Sequence, residues 1–440
     1  MSVSRKLLFT LESFFPSHRA GTEVYVLNLC HYFKTKGWKV GVLIATTESK
    51  EDYEYENIPV YTFPIPLKPD PKELNGLIPP RGIEGFLKRV KEIQPDLVHF
   101  HSFGRAINGY HLRAVKELGI KTAFTPHLGS FFCIKGDVRL YGKENCDCRV
   151  DVKRCLSCLF QSRGNNKTIS NLLSISFQQL HKLTTQHKKI APAVFQVDHR
   201  KAELDRVKKY ADIVFSIAPW IQEAFEINGI TKAKLIPQGI SPVFFNSSTI
   251  QQLNSRWLSG STDKIHFAFI GRMHPSKGFH LLKEAWEQID KSKAHLHVLT
   301  NPSGGETEYF DEHKKWASEK ANITWNEALS QQEVVYYLNQ VDVLILPSVS
   351  NEVAPLVILE AATRKIPVIG SDYIAIKSMI NDGIDGLLFK NGDTEQLCSR
   401  IQKLINQPEL INQFSNNIKT PHSMDAVAII IEQEYLYILK

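Results

Sequence analysis

Two kinds of apolar segment alternate along this chain, and the alternation leaves few folds open. Short runs rich in β-branched and aromatic residues, RKLLFTLE and KVGVLIATT, flank the stretch GTEVYVLNLCHYFKTKGW. In that stretch Val24, Leu27, Leu29, Cys30 and Phe33 recur at helical spacing. Strand, loop, helix and strand in that order make the unit of a parallel sheet. The series runs on through DLVHFHS, INGYHLRAVKELGI, KTAFTPH and AELDRVKKYADIVFSIA to KLIPQGISP. A second series starts at KIHFAFIGR, whose composition suits a strand. It passes through GFHLLKEAWEQI, AHLHVLT, QQEVVYYLNQV, DVLILPS and IPVIGSD to DGLLFKNGDTEQLCSRIQKLI.

The pattern predicts an α/β protein of two Rossmann-like, doubly wound domains. Residues 1–240 form the first, with a cysteine-rich insertion near 130–165. A polar linker spans 241–262 and contains NSSTIQQLNSRWLSG. Residues 263–420 form the second domain, and a final helix over 421–440 crosses back to the first. Open parallel sheets bind ligands at the carboxyl ends of their strands, so the two domains are expected to face a central cleft.

Length and charge narrow the function. A chain of 440 residues suits two domains. The net charge of +7 favours an anionic ligand or surface, but no Lys/Arg block argues for nucleic acid. The opening MSVSRKLLFT lacks the apolar core of a signal peptide. No run of 18 apolar residues predicts a membrane span. The expected location is the cytoplasm, with peripheral contact at the inner membrane face left open.

The stretch SNEVAPLVILEAATRKIPVIGSD carries two carboxylates, Glu352 and Glu360, around an apolar run. Glu352 follows the strand DVLILPS, and Pro355 suits the first turn of a helix continuing through LVILEAAT. That helix start would offer free N–H groups to an anion such as phosphate. A carboxylate can accept two hydrogen bonds from a vicinal diol such as ribose. The pair therefore reads as a nucleotide site. The alternative is a capping acid and a surface acid, which spacing alone does not separate.

NEVAPLVILEAA resembles the E-x7-E element of retaining glycosyltransferases with the GT-B fold, most closely glycosyltransferase family 4. Ala354 and the shifted Pro355 depart from the usual form. FIGRMHPSKGFHLLKEAW is similar to that family's GR-(x)3–4-KG-x-x-x-L-x-x-A segment. LIPQGISPVFF resembles IPNGID-x3-F, with Gln238 for Asn and Ser241 for Asp. RAGTEVYVLNLCHYFKTKGWKV resembles the N-terminal GG-x-E segment, with Ala20 for the first glycine. DLVHFHS, YADIVFSIAPWI and NDGIDGLLF match in collinear order.

The resemblance implies a retaining, metal-independent transferase that uses a nucleotide-diphosphate sugar. Arg272 and Lys277 would neutralise the diphosphate, Arg by a bidentate grip and Lys as a point charge. Glu360 would bind the ribose hydroxyls and Glu352 a hydroxyl of the donor sugar. The amides of Leu356 and Val357 would meet the phosphates. Gly21, without a Cβ, would let backbone approach them closely. His127 would touch the donor sugar and stabilise developing charge. His99 reads as structural, His101 as an acceptor-side group and Glu23 as a helix cap. The acceptor would be a glycan or lipid-linked glycan in cell-surface polysaccharide synthesis. Two rivals stay open: a sugar-nucleotide epimerase of the same fold, and a non-catalytic nucleotide-binding scaffold.

The insertion CIKGDVRLYGKENCDCRVDVKRCLSC holds Cys133, Cys146, Cys148, Cys155 and Cys158. The C-x-C and C-x2-C pairs have compact ligand spacing, which predicts a structural zinc on Cys146, Cys148, Cys155 and Cys158. The alternative is a set of reduced thiols in an acceptor loop. The following KTISNLLSISFQQLHKLTTQHKKI reads as a helix that faces a lipid-linked acceptor or membrane, or simply packs.

Overall fold

The computed structural model describes residues 5–18, 21–47, 51–183, 192–245, 264–302, 307–327, 330–350 and 352–440. Ala20, most of the expected linker (246–263) and the end of the 167–190 helix lie outside the described residues. The chain divides into two compact units, Met1–Pro237 with Asp425–Lys440, and Gln238–Met424.

The first unit is built on an eight-stranded sheet. Its strands are β1 (Lys6–Leu11), β2 (Lys39–Thr46), β3 (Tyr53–Tyr55), β4 (Ile58–Pro64), β5 (Leu97–His101), β6 (Lys121–Thr125), β9 (Ile213–Ser216) and β10 (Ala233–Leu235). Between β6 and β9 a small hairpin, β7 (Arg139–Leu140) and β8 (Glu144–Asn145), sits in the cysteine-rich insertion. The sheet order is β10-β9-β6-β5-β1-β2-β4-β3, and only β3 runs antiparallel. Helices cover both faces of such a sheet, so its central strands are apolar along their length. Every residue of β5 is accordingly buried, His99 and His101 included.

The second unit has six parallel strands: β11 (Ile265–Met273), β12 (Ala294–Pro302), β13 (Ile323–Glu327), β14 (Val343–Leu346), β15 (Val368–Ser371) and β16 (Gly386–Phe389). Their order, β13-β12-β11-β14-β15-β16, is the doubly wound 3-2-1-4-5-6 arrangement. The chain reverses direction of winding between β11 and β14, which makes this the switch point where sheets of this kind bind ligands. The core beneath it is aromatic and aliphatic, with Phe267, Phe269, Phe279, Trp286 and Ile345 nearly inaccessible.

The last helix, Met424–Ile438, belongs to the first unit apart from its opening residue. Tyr435 is buried and stacks on Phe33 at 5.3 Å between ring centroids. Glu432 accepts hydrogen bonds from Tyr32 Oη at 2.9 Å and Trp38 Nε1 at 3.0 Å. Lys234 pairs with Glu434 at 2.5 Å.

Candidate active site

In the second unit, four of the expected residues come from segments that leave the carboxyl ends of β11 and β14. Arg272 is the penultimate residue of β11, exposed, with no ion pair among the described residues. The chain then makes a tight turn, Pro275–Lys277, closed by Gly278. Gly278 has φ +71°, and a Cβ there would stand 1.9 Å from the Pro347 carbonyl oxygen. Only glycine fits, because the turn packs directly on the segment after β14. Val349 N–H donates to Ser276 O at 2.9 Å and fixes the two together.

This clasp brings Lys277 onto Glu352. Lys277 Nζ lies 2.6 Å from Glu352 Oε1, and Ser348 Oγ donates to the same oxygen at 2.7 Å. Ser371, at the end of β15, donates to the Ser348 carbonyl at 2.6 Å. Three consecutive strands of the sheet thus support one carboxylate. Glu352 is buried, so its pairing is a condition of the fold as well as of chemistry.

One expectation about this stretch needs correction. Pro355 does not open the helix; it is the N-cap, and the helix runs Leu356–Ala362. Glu352 Oε1 is held by Lys277 and Ser348, because a buried carboxylate takes the nearest cation and hydroxyl. The amides of Leu356 and Val357 open the helix, and no side chain caps it.

Glu360 sits on the same helix, half-buried, and behaves differently. Its carboxylate has no hydrogen bond or ion pair among the described residues. Burial alone pushes its pKa up to about 7. A carboxylate held in this way can take hydroxyl donors from a ligand.

In the first unit, Gly21 opens the helix Gly21–Thr35 instead of lying in the loop before it. A Cβ at Gly21 would meet nothing within 4 Å, so its backbone faces open space. Glu23 is buried in the first turn of that helix. It accepts from Ser13 Oγ at 3.3 Å and pairs with His18 at 3.0 Å. It therefore ties down the loop that follows β1.

The three histidines expected to act separately form one chain. His127 Nε2 lies 2.9 Å from His101 Nδ1, and His101 Nε2 lies 3.1 Å from His99 Nδ1. His99 continues to Thr125 Oγ1 at 2.8 Å and to Tyr435 Oη at 2.5 Å. All three are buried. Burial lowers the pKa of each, His127 to about 3 and the other two well below the usual range. Neutral imidazoles offer one donor and one acceptor each, so the donor direction along the chain sets the tautomer of His127. The link was legible in H-x-H: residues two apart on a strand share a face. Tyr435, 308 positions beyond His127, left no such signal.

Among the described residues no three His, Cys, Asp or Glu side chains stand together at metal-ligating distance. No described helix is long and apolar enough to cross a membrane.

Known proteins with similar segments now bear on this geometry. Residues 19–144 match the model of Glycosyltransferase Family 4, and residues 252–420 that of Glycosyl transferases group 1. Each unit thus contains a segment similar to a glycosyltransferase family model. The putative teichuronic acid biosynthesis glycosyltransferase of Bacillus subtilis is 25% identical over 237 residues, 52% of this chain and 57% of that protein. The chain spans about half, or less, of the length of the curated relatives it matches. Among solved structures, sucrose-phosphate synthase from Thermosynechococcus elongatus aligns with TM-score 0.66 at 16% identity, over 99% of both chains. Anabaena HepE in complex with UDP-glucose aligns with TM-score 0.59 at 15% identity, over 98% of this chain and 99% of its own. These likenesses place the fold among GT-B glycosyltransferases.

Proposed function

We propose that the protein is a retaining glycosyltransferase that moves a sugar from a nucleotide-diphosphate sugar to a glycan or lipid-linked acceptor in cell-surface polysaccharide synthesis. The observation that carries this reading is the convergence at the switch point of the second unit. Arg272 and Glu360, without ion-pair partners among the described residues, and Lys277, held in place by Glu352, all belong to segments around β11 and β14.

Arg272 and Lys277 neutralise the departing diphosphate, with help from the Leu356 and Val357 amides. That is electrostatic stabilisation of charge that develops in the transition state. It removes the need for a catalytic metal. Glu360 receives the ribose hydroxyls. Glu352 orients Lys277 and presents its second oxygen to the donor sugar. In the first unit, the acceptor side, Gly21 lets backbone approach the phosphates and His127 contacts the donor sugar. HepE, whose structure holds UDP-glucose, supports a uridine nucleotide as the first donor to try. The name of the Bacillus relative supports a polysaccharide acceptor.

The deciding experiment is a thermal-shift screen with UDP-, GDP-, ADP- and CMP-sugars, since a ligand bound only to the folded state raises stability by RT ln(1 + [L]/Kd). The selected donor is then incubated with protein and candidate acceptors. Sugar transfer with the anomeric configuration kept is expected. No stabilisation by any nucleotide sugar, or conversion of the donor to an epimer without acceptor, would overturn the proposal.

A further inference from the structure

Five cysteines line one small cavity in the first unit, and sugar transfer as proposed above uses none of them. The cavity measures about 20 Å³, enough for the centre of one water-sized body, and so for one ion. Cys133, Cys146, Cys148, Cys155 and Cys158 all contribute to its wall. Sequence spacing singled out the last four. The structure adds Cys133, which arrives from the loop after the 3-10 turn Gly129–Phe131.

Among the described residues, backbone amides reach two of the five sulfurs: Cys146 Sγ accepts the N–H of Cys148 at 3.4 Å, and Cys158 Sγ that of Tyr141 at 3.1 Å. Cys148 Sγ donates to the Cys146 carbonyl at 3.7 Å. Amides aimed at sulfur stabilise a thiolate, the form that binds metal. The backbone bends tightly around the cavity: Gly136, Val138, Tyr141 and Gly142 all have φ between +50° and +78°.

Charge points the same way. Four thiolates around a divalent ion carry a net charge of −2. Arg139 and Arg149 line the same cavity and form no ion pair among the described residues. Arg154 adds a contact of 4.0 Å from Nη2 to Cys146 Sγ, though it also pairs with Asp147.

We propose that four of these five cysteines bind one zinc ion as a structural centre. Soft thiolates in a closed four-coordinate set suit zinc. Binding releases the four thiol protons, so no oxidant or reductant is required. In the present arrangement the sulfurs face one another and nearby carbonyls, as Cys158 Sγ faces Arg139 O at 3.6 Å. The side chains must therefore turn toward the ion. The centre would brace the insertion by joining its loop, its hairpin and the helix Val152–Ser162.

The test uses the full chain purified under reducing conditions without added metal. Elemental analysis should find about one zinc per chain. Of the single variants Cys133→Ser, Cys146→Ser, Cys148→Ser, Cys155→Ser and Cys158→Ser, all but one should lose most of it in competition with a chelator. Because such variants could fail to fold, the wild-type chain is also stripped and loaded with cobalt, which should give the intense thiolate charge-transfer absorption of a tetrahedral site. Less than about a tenth of an equivalent of zinc, with no cobalt spectrum, overturns the proposal. So does retention of the metal in every single variant.

Discussion

Replacing Glu360 by Gln should strengthen the fold and weaken donor binding at the same time. The folded protein raises the Glu360 pKa from 4.5 to about 7 by burial. The sign follows from linkage. A raised carboxyl pKa means the folded state binds more protons than the unfolded state between pH 4.5 and 7, so stability falls as pH rises through that window. The shift of about 2.5 units corresponds to about 3.4 kcal/mol at most, and partial solvent access reduces it to roughly 2–3 kcal/mol. Glu360→Gln removes the ionisation. At pH 5 variant and wild type should unfold at nearly the same urea concentration. At pH 8 the variant midpoint should lie higher by about 1 M, taking a slope of about 2 kcal/mol per M. Donor binding should move the other way, because a hydrogen bond to a charged acceptor is worth about 1.5–3 kcal/mol. Calorimetry with the donor chosen by thermal shift should therefore show Kd raised roughly 10- to 100-fold at pH 8. Wild-type affinity should also fall as pH drops below 7, and the variant should lose that dependence. A variant no more stable than wild type at pH 8 refutes the burial argument. A variant that binds donor as tightly as wild type refutes the ribose assignment.

The two cations should separate by stability. Arg272→Ala should cut transfer by about 10²-fold or more with unfolding unchanged, whereas Lys277→Ala should match that loss and also cost roughly 3 kcal/mol by stranding buried Glu352; equal urea midpoints for the two would contradict the clasp. Glu352→Gln should lower kcat more than it raises KM in steady-state kinetics, and a change in KM alone would remove it from the reacting centre. His111 and His127, both lowered to about 3 by burial, must stay neutral in the fold; stability is intact above the ordinary histidine pKa and lost as pH falls from about 6.5 toward 3. At pH 5 each ring should cost about 2 kcal/mol; with Glu360→Gln removing the opposing gain from Glu360, a flat urea midpoint between pH 7 and 5 would show that they are not held neutral.

The sequence made the sheets legible because buried parallel strands are continuous apolar runs, and KIHFAFIGR and DVLILPS cannot be much else. It also marked the strand ends, where Arg272 and Glu352 stand. Partnerships were less visible. Ser348 is an ordinary residue at a strand end until Ser371 and Glu352 are seen to share it. Gly278 belongs to a noticed motif, but its necessity comes from Pro347, 69 positions away. The cysteine set was read from spacing, which favours neighbours in the chain; Cys133 entered because a loop returns it to the same cavity. Long-range pairing of this kind depends on how loops close, and local pattern does not encode it.

The final helix bears on how the chain is made. Residues 425–440 complete the first unit, yet they emerge from the ribosome only after all of Gln238–Met424. Until then Phe33 lacks the ring that stacks on it, Trp38 lacks its acceptor, and His99 lacks the Tyr435 hydroxyl. The second unit is contiguous and can fold during synthesis. The first must wait, with an apolar groove open to solvent, for a segment translated after the whole of the second unit. A chain interrupted anywhere in the second unit would leave that groove uncovered and exposed to quality control, so incomplete copies of this protein should be short-lived.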